Sequence, residues 1–371
     1  MSIYAGKTIY KRHKMLINCQ LLAGEKMEHL QEAHMGVEGS EIAYVGDGFV
    51  SGAEDLRDLL AVPGLVNAHT HIGDSFAKDA CTGLRVHEAV GKNGRKWKLY
   101  ETGGREEIIA AMRDSAIDML SSGITAYADF REGGHEGLKD LRTATKDLPI
   151  RTVALGRDLG GRLEDCQGLG LNLYQIDQIP KDRKDLRDIL IAVHAGEGAC
   201  EVEAALKASP DIIVHYTTGT EEDIRKTTRK KISVVVCPRS NASLKAGFPP
   251  VRKLLDAGVN VALGTDNVMI NSPDMWREME FLYKASQLFE GLTPLEVFKA
   301  ASINGGRAFR TNSGVLKKGR TADITFLDIN APNMRGCRDI HAGLVTRCHA
   351  GNVKKTMIEG RVIDKGLVHI Y

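Results

Sequence analysis

Two histidines one residue apart end an apolar stretch of the chain, residues 63–71, PGLVNAHTH. Since successive side chains of a strand point to opposite faces, His69 and His71 share a face if this stretch is a strand. Two imidazoles that converge from one strand end form half of a metal site. A lone His-x-His is also common as a polar strand end beside a turn, so the metal hypothesis needs ligands from elsewhere in the chain.

Three further residues of ligand type follow other predicted strands. His194 ends the fifth of these strands, His215 ends the sixth, and Asp266 follows the eighth. A buried imidazole is costly to desolvate, and a buried carboxylate more so, unless the group is paired or binds a metal. One divalent cation would offset these costs together. Three neutral imidazoles and one carboxylate suit Zn(II), with Fe(II), Co(II) or Mn(II) as alternatives.

The elements that must position these residues alternate between strand and helix from about residue 61 onwards. The predicted strands are residues 63–71, 124–130, 151–155, 169–174, 189–194, 212–215, 232–237 and 259–264. Most are continuous apolar runs, which is typical of parallel strands covered on both faces. Eight strands that alternate with helices over about 250 residues indicate an α/β fold, a (β/α)8 TIM barrel. In such barrels the chemistry lies at the C-terminal strand ends, where the candidate ligands fall.

Local signals also predict individual helices. The apolar positions of residues 105–122 fall on one helical face, and Gly123 ends that helix. A second helix is expected to start at Ser272, as a cap before Pro273. A third start is the capping box of residues 293–296, Thr-Pro-Leu-Glu.

The two ends of the chain contain short strands and turns without a long helical period. Examples are residues 15–18, 42–48, 322–328 and 354–363. Such strands need a partner sheet to be stable. We therefore expect a small β-sandwich domain formed by both termini, residues 1–60 and 316–371, beside a barrel of residues 61–315.

Five motifs occur in a fixed order along the chain. They are PGLVNAHTH at 63–71, HAGE at 194–197, the single His215, VCPRSN at 236–241 and LGTDN at 263–267. Together they resemble the amidohydrolase superfamily, specifically the chlorohydrolase/deaminase (ATZ/TRZ-type) branch with its guanine, cytosine and S-adenosylhomocysteine deaminases. The segments SINGGRAF and GVLKKGRTADITFLD extend the resemblance over nearly the whole chain.

The resemblance implies a metal-dependent hydrolase with His69, His71, His194 and Asp266 as ligands. A related two-metal subgroup carries a carbamylated lysine on strand four. Residues 168–175, which cover that strand here, contain no lysine. We therefore expect one metal ion.

The resemblance also implies catalytic roles. His215 would be an additional ligand or a hydrogen-bond partner of the reacting water, and Glu197 would be the proton shuttle. In the resulting hypothesis a metal-activated water attacks an amine-bearing ring carbon, Asp266 accepts a proton, Glu197 protonates the ring nitrogen, and His215 stabilises the oxyanion.

Candidate substrate contacts are less sharply defined. Arg131, Arg157 and Arg239 follow strands two, three and seven, and could hold an anionic or carbonyl-rich substrate. Each could equally pair with a local acid such as Asp129 or Asp158. Asn241 and Asn267 could be turn residues, or they could form hydrogen bonds near the site.

Three other features have plain interpretations. The basic run at residues 92–98, which includes Trp97, is expected to be a solvated loop that could cover the pocket. Asp74 could be a helix cap or a substrate contact. Cys237 is expected to be a small buried side chain rather than a nucleophile.

Composition excludes several classes of function. A net charge of +2 and 5% aromatic residues give no support to nucleic-acid or anionic-membrane binding, and no apolar run reaches membrane-spanning length. Seven scattered cysteines without a C-x-x-C spacing fit reduced thiols. We expect a cytoplasmic enzyme with a small-molecule substrate and, by analogy with related barrels, a possible homodimer.

The sequence thus predicts hydrolysis of a C–N bond other than a peptide bond, through deamination of an aminated purine, pyrimidine or related heterocycle. Removal of a halide or alkylamine from a triazine-like ring would use the same site. Hydrolysis of a cyclic amide or imide is a further alternative, disfavoured by the absence of the strand-four lysine. A barrel scaffold without catalysis is the non-enzymatic alternative.

Overall fold

The computed structural model of the chain describes residues 14–180 and 188–364. Its N-terminal part forms strands β1 (Lys14–Ala23), β2 (Glu28–Glu38), β3 (Glu41–Asp47) and β4 (Glu54–Pro63). Strand β1 pairs antiparallel with β2 and parallel with β4. The tight turn between β2 and β3 contains Gly39, whose φ of 63° favours glycine.

The central part of the chain forms a parallel barrel, as predicted. Its strands are β5 (Leu65–His71), β6 (Ile124–Arg131), β7 (Arg151–Gly156), β8 (Gly168–Asn172), β9 (Leu190–Ala195), β10 (Ile212–His215), β11 (Ser233–Val236), β12 (Val261–Leu263) and β13 (Asp266–Asn267). Each predicted strand is present, and β13 is an additional short strand beyond the predicted eighth strand, residues 259–264. The parallel direction brings all of the C-terminal strand ends to one face.

The barrel closes because β12 and β13 have different neighbours. Strand β12 pairs with β11, whereas β13 pairs with β5, with Asp266 opposite Thr70 and Asn267 opposite His71. The break lies at Gly264 and Thr265. Closure therefore places Asp266 and Asn267 of β13 directly beside the end of β5, which carries His69 and His71.

Helices cover the barrel and fill the connections between strands. They are α1 (Val86–Ala89), α2 (Arg95–Thr102), α3 (Arg105–Ser121), α4 (Gly134–Thr145), α5 (Glu201–Ala208), α6 (Glu221–Lys230), α7 (Pro238–Ser243), α8 (Val251–Asp256), α9 (Met275–Ser286), α10 (Pro294–Ala300), α11 (Ile303–Ala308) and α12 (Ile340–Thr346). Helix α3 buries Met112, Ala116 and Met119 against the barrel, as its periodicity predicts. Within residues 14–180 and 188–364, no helix combines the length and apolar character of a membrane span.

Two predicted helix starts have different outcomes. Thr293 caps α10, and Thr293 and Glu296 form the predicted capping box. The predicted start at Ser272 is wrong, because α9 begins two residues later with Asp274 as its cap. The Asp274 carboxylate accepts hydrogen bonds from the backbone N–H groups of Trp276 and Arg277, which satisfies two free donors at the helix start.

Strands from both ends of the chain pair in one sheet, as predicted. The C-terminal strands are β14 (Ile324–Asp328), β15 (Val353–Ile358) and β16 (Arg361–Asp364). In the described chain, these strands join β1–β4 in one seven-stranded mixed sheet of order β16-β15-β14-β4-β1-β2-β3. A buried apolar cluster that includes Ile17, Met35, Ile42 and Phe326 stabilises this sheet.

Candidate metal centre

The histidines of β5 and β9 converge at the C-terminal end of the barrel. The ring centroids of His69 and His71 lie 4.9 Å apart. The Nε2 atoms of His71 and His194 lie 3.2 Å apart. Phe130 packs against His69 with a centroid distance of 4.2 Å and gives the cluster an apolar floor. The structure therefore brings His194 to the histidine pair of β5, 123 positions away in the sequence.

Asp266 joins this cluster from β13. Its Oδ1 atom lies 3.1 Å from Nε2 of His69 and 3.7 Å from Nε2 of His71. Its Oδ2 atom accepts a hydrogen bond of 2.5 Å from the Ser240 hydroxyl. The backbone of Asp266 is left-handed with φ of 60°, and that of His215 with φ of 78°. Such conformations cost a non-glycine residue on the order of 1–3 kcal/mol and are concentrated at functional sites.

The hydrogen bonds of two imidazoles fix which nitrogen carries the proton. Nδ1 of His194 lies 3.0 Å from the carbonyl oxygen of Leu171, which can only accept, so this nitrogen donates. Nδ1 of His71 donates in the same way to Oε1 of Glu132 at 3.0 Å. In the neutral rings both Nε2 atoms then carry lone pairs, and these face each other. Converging lone pairs repel unless a cation binds them, so the donor set fits a divalent metal ion.

Burial favours the neutral, metal-binding form of these imidazoles. Desolvation lowers the pKa of His69 to about 3, and it lowers the pKa of His194 well below its ordinary value, with the neighbouring histidines adding to the effect. Nδ1 of His69 is buried and has no hydrogen-bond partner among the described residues. Ligand atoms of His69, His71 and His194 lie within 4.8 Å of one another, as do those of His69, His215 and Asp266.

Glu197 and His215 lie beside the ligand cluster. Oε2 of Glu197 is 3.7 Å from Nε2 of His215, and Nδ1 of His215 donates to the Asn241 side-chain oxygen at 2.9 Å. Burial raises the pKa of Glu197, so its carboxyl group retains a proton at higher pH than an exposed glutamate. Glu201 fixes the loop after β9, because its carboxylate accepts hydrogen bonds from the backbone N–H groups of Gly196 and Glu197 at 2.9 Å.

A small cavity opens beside these residues, with a free volume of about 50 Å³. Its lining includes Lys96, Trp97, Glu132, Arg157, Asn172, Glu197 and Asn267. Asn267 donates to Asp74 Oδ2 at 2.5 Å, so Asp74 anchors a residue of the lining. Asn241 lies behind His215 and is fully buried.

The three candidate arginines lie in different surroundings. Arg157 lines the cavity, is buried, and its Nε and Nη2 atoms have no hydrogen-bond partner among the described residues. Arg131 is tied to Glu132 at 2.8 Å and to the Tyr100 hydroxyl at 3.1 Å. Arg239 contacts the Ser272 carbonyl oxygen at 3.3 Å and lines a different cavity. Local pairing thus accounts for Arg131 and Arg239. Arg157 has a long ion pair with Glu132, 3.8 Å from Nη2 to Oε1, but no hydrogen bond for its Nε and Nη2 atoms.

The prediction of a solvated basic loop at residues 92–98 is wrong for Lys96. Residues from Arg95 onwards form α2, and Lys96 is only 3% exposed. Its ammonium group lies 2.6 Å from Glu132 Oε1 and 2.7 Å from Asp74 Oδ2. Two carboxylates compensate for the loss of hydration, which is why this lysine can be buried.

Glu132 is the site residue that the sequence interpretation missed. Burial alone would raise its pKa, but Lys96, His71 and Arg157 hold the pKa of Glu132 well below its ordinary value. The available signal was its position directly after the second barrel strand. That signal is weak because many strands of this kind end in a solvated acid.

Comparison with known proteins identifies the family of the chain. The sequence profile of the amidohydrolase family matches residues 60–164 and 171–363. A candidate aminohydrolase of Methanothermobacter thermautotrophicus is 34% identical over 347 residues, covering 84% of this chain and 88% of the relative. A 5-methylthioadenosine/S-adenosylhomocysteine deaminase of Caldanaerobacter subterraneus subsp. tengcongensis is 26% identical, covering 94% and 92%. The zinc complex of atrazine chlorohydrolase from Arthrobacter aurescens superposes with a TM-score of 0.79 at 19% identity, covering 94% and 95%. The chain therefore belongs to the amidohydrolase family.

Proposed function

We propose that the protein is a one-metal hydrolase that deaminates an aminated purine, pyrimidine or related heterocycle. The observation that carries the proposal is the pair of facing Nε2 atoms of His71 and His194, 3.2 Å apart, with both Nδ1 atoms engaged by acceptors. His69 and Asp266 would complete the ligand set, with His215 at its edge. The absence of lysine from β8 supports a single metal. Imidazole and carboxylate ligands suit zinc.

The bound metal would supply the Lewis acidity that makes water nucleophilic near neutral pH. Asp266 lies where it can accept a proton from that water, because its Oδ1 atom faces the histidines and Ser240 holds the other oxygen. Glu197, with its raised pKa, would donate a proton to the ring nitrogen next to the attacked carbon. His215, whose Nδ1 donates to Asn241, would donate from Nε2 toward the developing oxyanion as an imidazolium; burial disfavours that form, but Glu197 and Asp266 raise the pKa of His215 above its ordinary value. The ring carbon gains oxygen from water, and the amine leaves as ammonia.

Arg157 supports a substrate that carries an acceptor oxygen. A buried guanidinium group with unpartnered N–H donors is costly unless a ligand accepts from it. A carbonyl or anionic oxygen on the heterocycle would satisfy these donors. Trp97 in the lining offers a flat apolar contact for the ring.

An ammonia-release screen of the zinc-loaded protein tests the proposal. The panel contains aminopurines, aminopyrimidines, pterins and their nucleosides, together with amino- and chlorotriazines. Glu197→Gln should abolish turnover while the zinc content stays at one per chain, and the matched control Glu203→Gln on α5 should behave as wild type. Wild-type protein that holds no stoichiometric metal, or a Glu197→Gln variant with full activity, would contradict the proposal.

A further inference from the structure

His71 differs from the other ligand-type histidines in having a carboxylate behind it. Oε1 of Glu132 accepts from Nδ1 of His71 at 3.0 Å and from the Lys96 ammonium group at 2.6 Å. Oε2 of Glu132 accepts from Arg131 Nη2 at 2.8 Å. Both oxygens of Glu132 are thus engaged, and the carboxylate has one orientation that satisfies all three donors. That orientation aims Nε2 of His71 at His194 and Asp266.

A second reading of this region is an additional metal site, because ligand atoms of His71, Asp74 and Glu132 lie within 4.8 Å of one another. The Lys96 ammonium group argues against that reading. It contacts both Asp74 and Glu132, at 2.7 and 2.6 Å, and therefore already provides the cation that the two acids need. Asp74 and Glu132 therefore pair with Lys96, and Glu132 also accepts the hydrogen bond from His71.

Lys96 belongs to α2, in the segment between β5 and α3 that covers the cavity. Val90, Lys96 and Trp97 of this segment line the cavity, and the Trp97 indole N–H donates to the Gly91 carbonyl oxygen at 2.8 Å. The Lys96 contacts therefore tie the covering segment to the carboxylate that orients a candidate ligand. The covering segment and the ligand cluster share one ionic network.

We propose that Glu132 and Lys96 are a positioning pair for His71: Glu132 fixes the imidazole with Nε2 toward the metal, and Lys96 fixes the Glu132 carboxylate. This inference rests on the proposed metal-dependent function and deepens it. Neither residue needs to touch the reacting atoms. The pair acts through ring orientation, which is a common determinant of metal affinity.

The positioning proposal and a simple charge effect predict opposite results. If only charge mattered, Lys96→Met would tighten zinc binding by removing a nearby cation, and Glu132→Gln would weaken it by removing an anion. If positioning matters, Lys96→Met weakens zinc binding because Glu132 loses its anchor. Glu132→Gln then loses less affinity than Glu132→Leu, because its amide oxygen still accepts from His71 although its NH2 group faces the Arg131 donor. Glu132→Leu weakens binding by about 10- to 100-fold. A pure charge effect would make these two variants equal.

The experiment is a competition between the purified full-length protein and a chromophoric chelator for zinc, which needs no substrate. Cobalt-loaded protein provides a second readout, since its visible absorption bands report ligand geometry and should change in Glu132→Leu and Lys96→Met. The matched controls Lys98→Met and Glu101→Gln change exposed residues of α2. Both controls should keep the wild-type zinc affinity and cobalt spectrum.

The inference is wrong if the Lys96→Met variant binds zinc as tightly as wild type or more tightly. If Glu132→Leu does not fold, as judged by circular dichroism, the comparison of Lys96→Met with Glu132→Gln still decides between the two explanations. If the wild-type protein binds no zinc, the proposed function itself is contradicted. The two failures are therefore distinguishable.

Discussion

His69 and Asp266 lie within 3.1 Å of each other, although 197 positions separate them in the sequence. Their approach depends on Gly264, at the break between β12 and β13. A Cβ atom at Gly264 would lie 2.7 Å from both the Cβ and the backbone nitrogen of His69. A side chain on the eighth strand would therefore push the first strand away at the point where the candidate ligands meet.

Gly264→Ala should consequently weaken zinc binding and destabilise the fold by about 1–3 kcal/mol, because a rigid backbone neighbour has to shift. Chemical denaturation and chelator competition measure the two effects. The control is Gly104→Ala, since a Cβ there meets only the Glu107 Cβ at 4.0 Å. Equal stability and zinc affinity in Gly264→Ala and wild type would show that the close approach is not required.

Asp266→Asn tests the carboxylate as a ligand. The amide has the same shape and can still accept the Ser240 hydrogen bond, but it lacks the negative charge that favours a cation. We expect zinc affinity to fall by roughly tenfold or more, and ammonia release with it. Metal analysis after dialysis measures the loss, with the exposed Asp256→Asn as control. Unchanged metal content would remove Asp266 from the ligand set.

Arg157→Met tests whether the free guanidinium donors bind substrate. Removing them should raise the KM by about tenfold or more and leave zinc content unchanged, since a hydrogen bond from a charged group contributes about 1.5–3 kcal/mol. Kinetics with the best substrate of the screen separate KM from kcat. Arg162→Met, at an exposed position of the same connection, is the matched control. A fall in stability without a change in KM would instead assign Arg157 a structural role.

Glu278 gives a prediction for the pH dependence of stability. Burial raises its pKa from about 4.5 to about 8, with Arg239 opposing the shift. The folded protein thus keeps a proton that the unfolded chain releases above pH 4.5, so this contribution to stability is complete below that pH and is lost as the pH rises through 8. Relative to wild type, Glu278→Gln should gain on the order of 1–3 kcal/mol between pH 5 and pH 8.

Urea denaturation of both proteins at several pH values measures this difference. Glu280→Gln, at a more exposed position of the same helix, serves as control. Parallel pH profiles for wild type and Glu278→Gln would mean that the pKa of Glu278 does not differ between the folded and unfolded states.

Local patterns in the sequence were sufficient for the barrel and for the residues at its strand ends. Mostly continuous apolar runs identified the barrel strands from β5 to β12, because parallel strands covered on both faces are apolar along their length, whereas the short β13 was not predicted. The direction common to parallel strands then placed His69, His194 and Asp266 at one face. The capping box at Thr293 was equally predictable, since both of its partners lie within four residues.

Only the tertiary structure decided which charged residues are buried and what they contact. Lys96 is buried because Glu132, 36 positions away, and Asp74 approach it, and no local pattern encodes that approach. The same holds for Arg157, which lies 3.8 Å from Glu132 and has two guanidinium nitrogens without a hydrogen-bond partner among the described residues. Hydrophobic periodicity is a property of neighbouring residues, whereas the free energy of a buried charge depends on partners that the fold brings from distant parts of the chain.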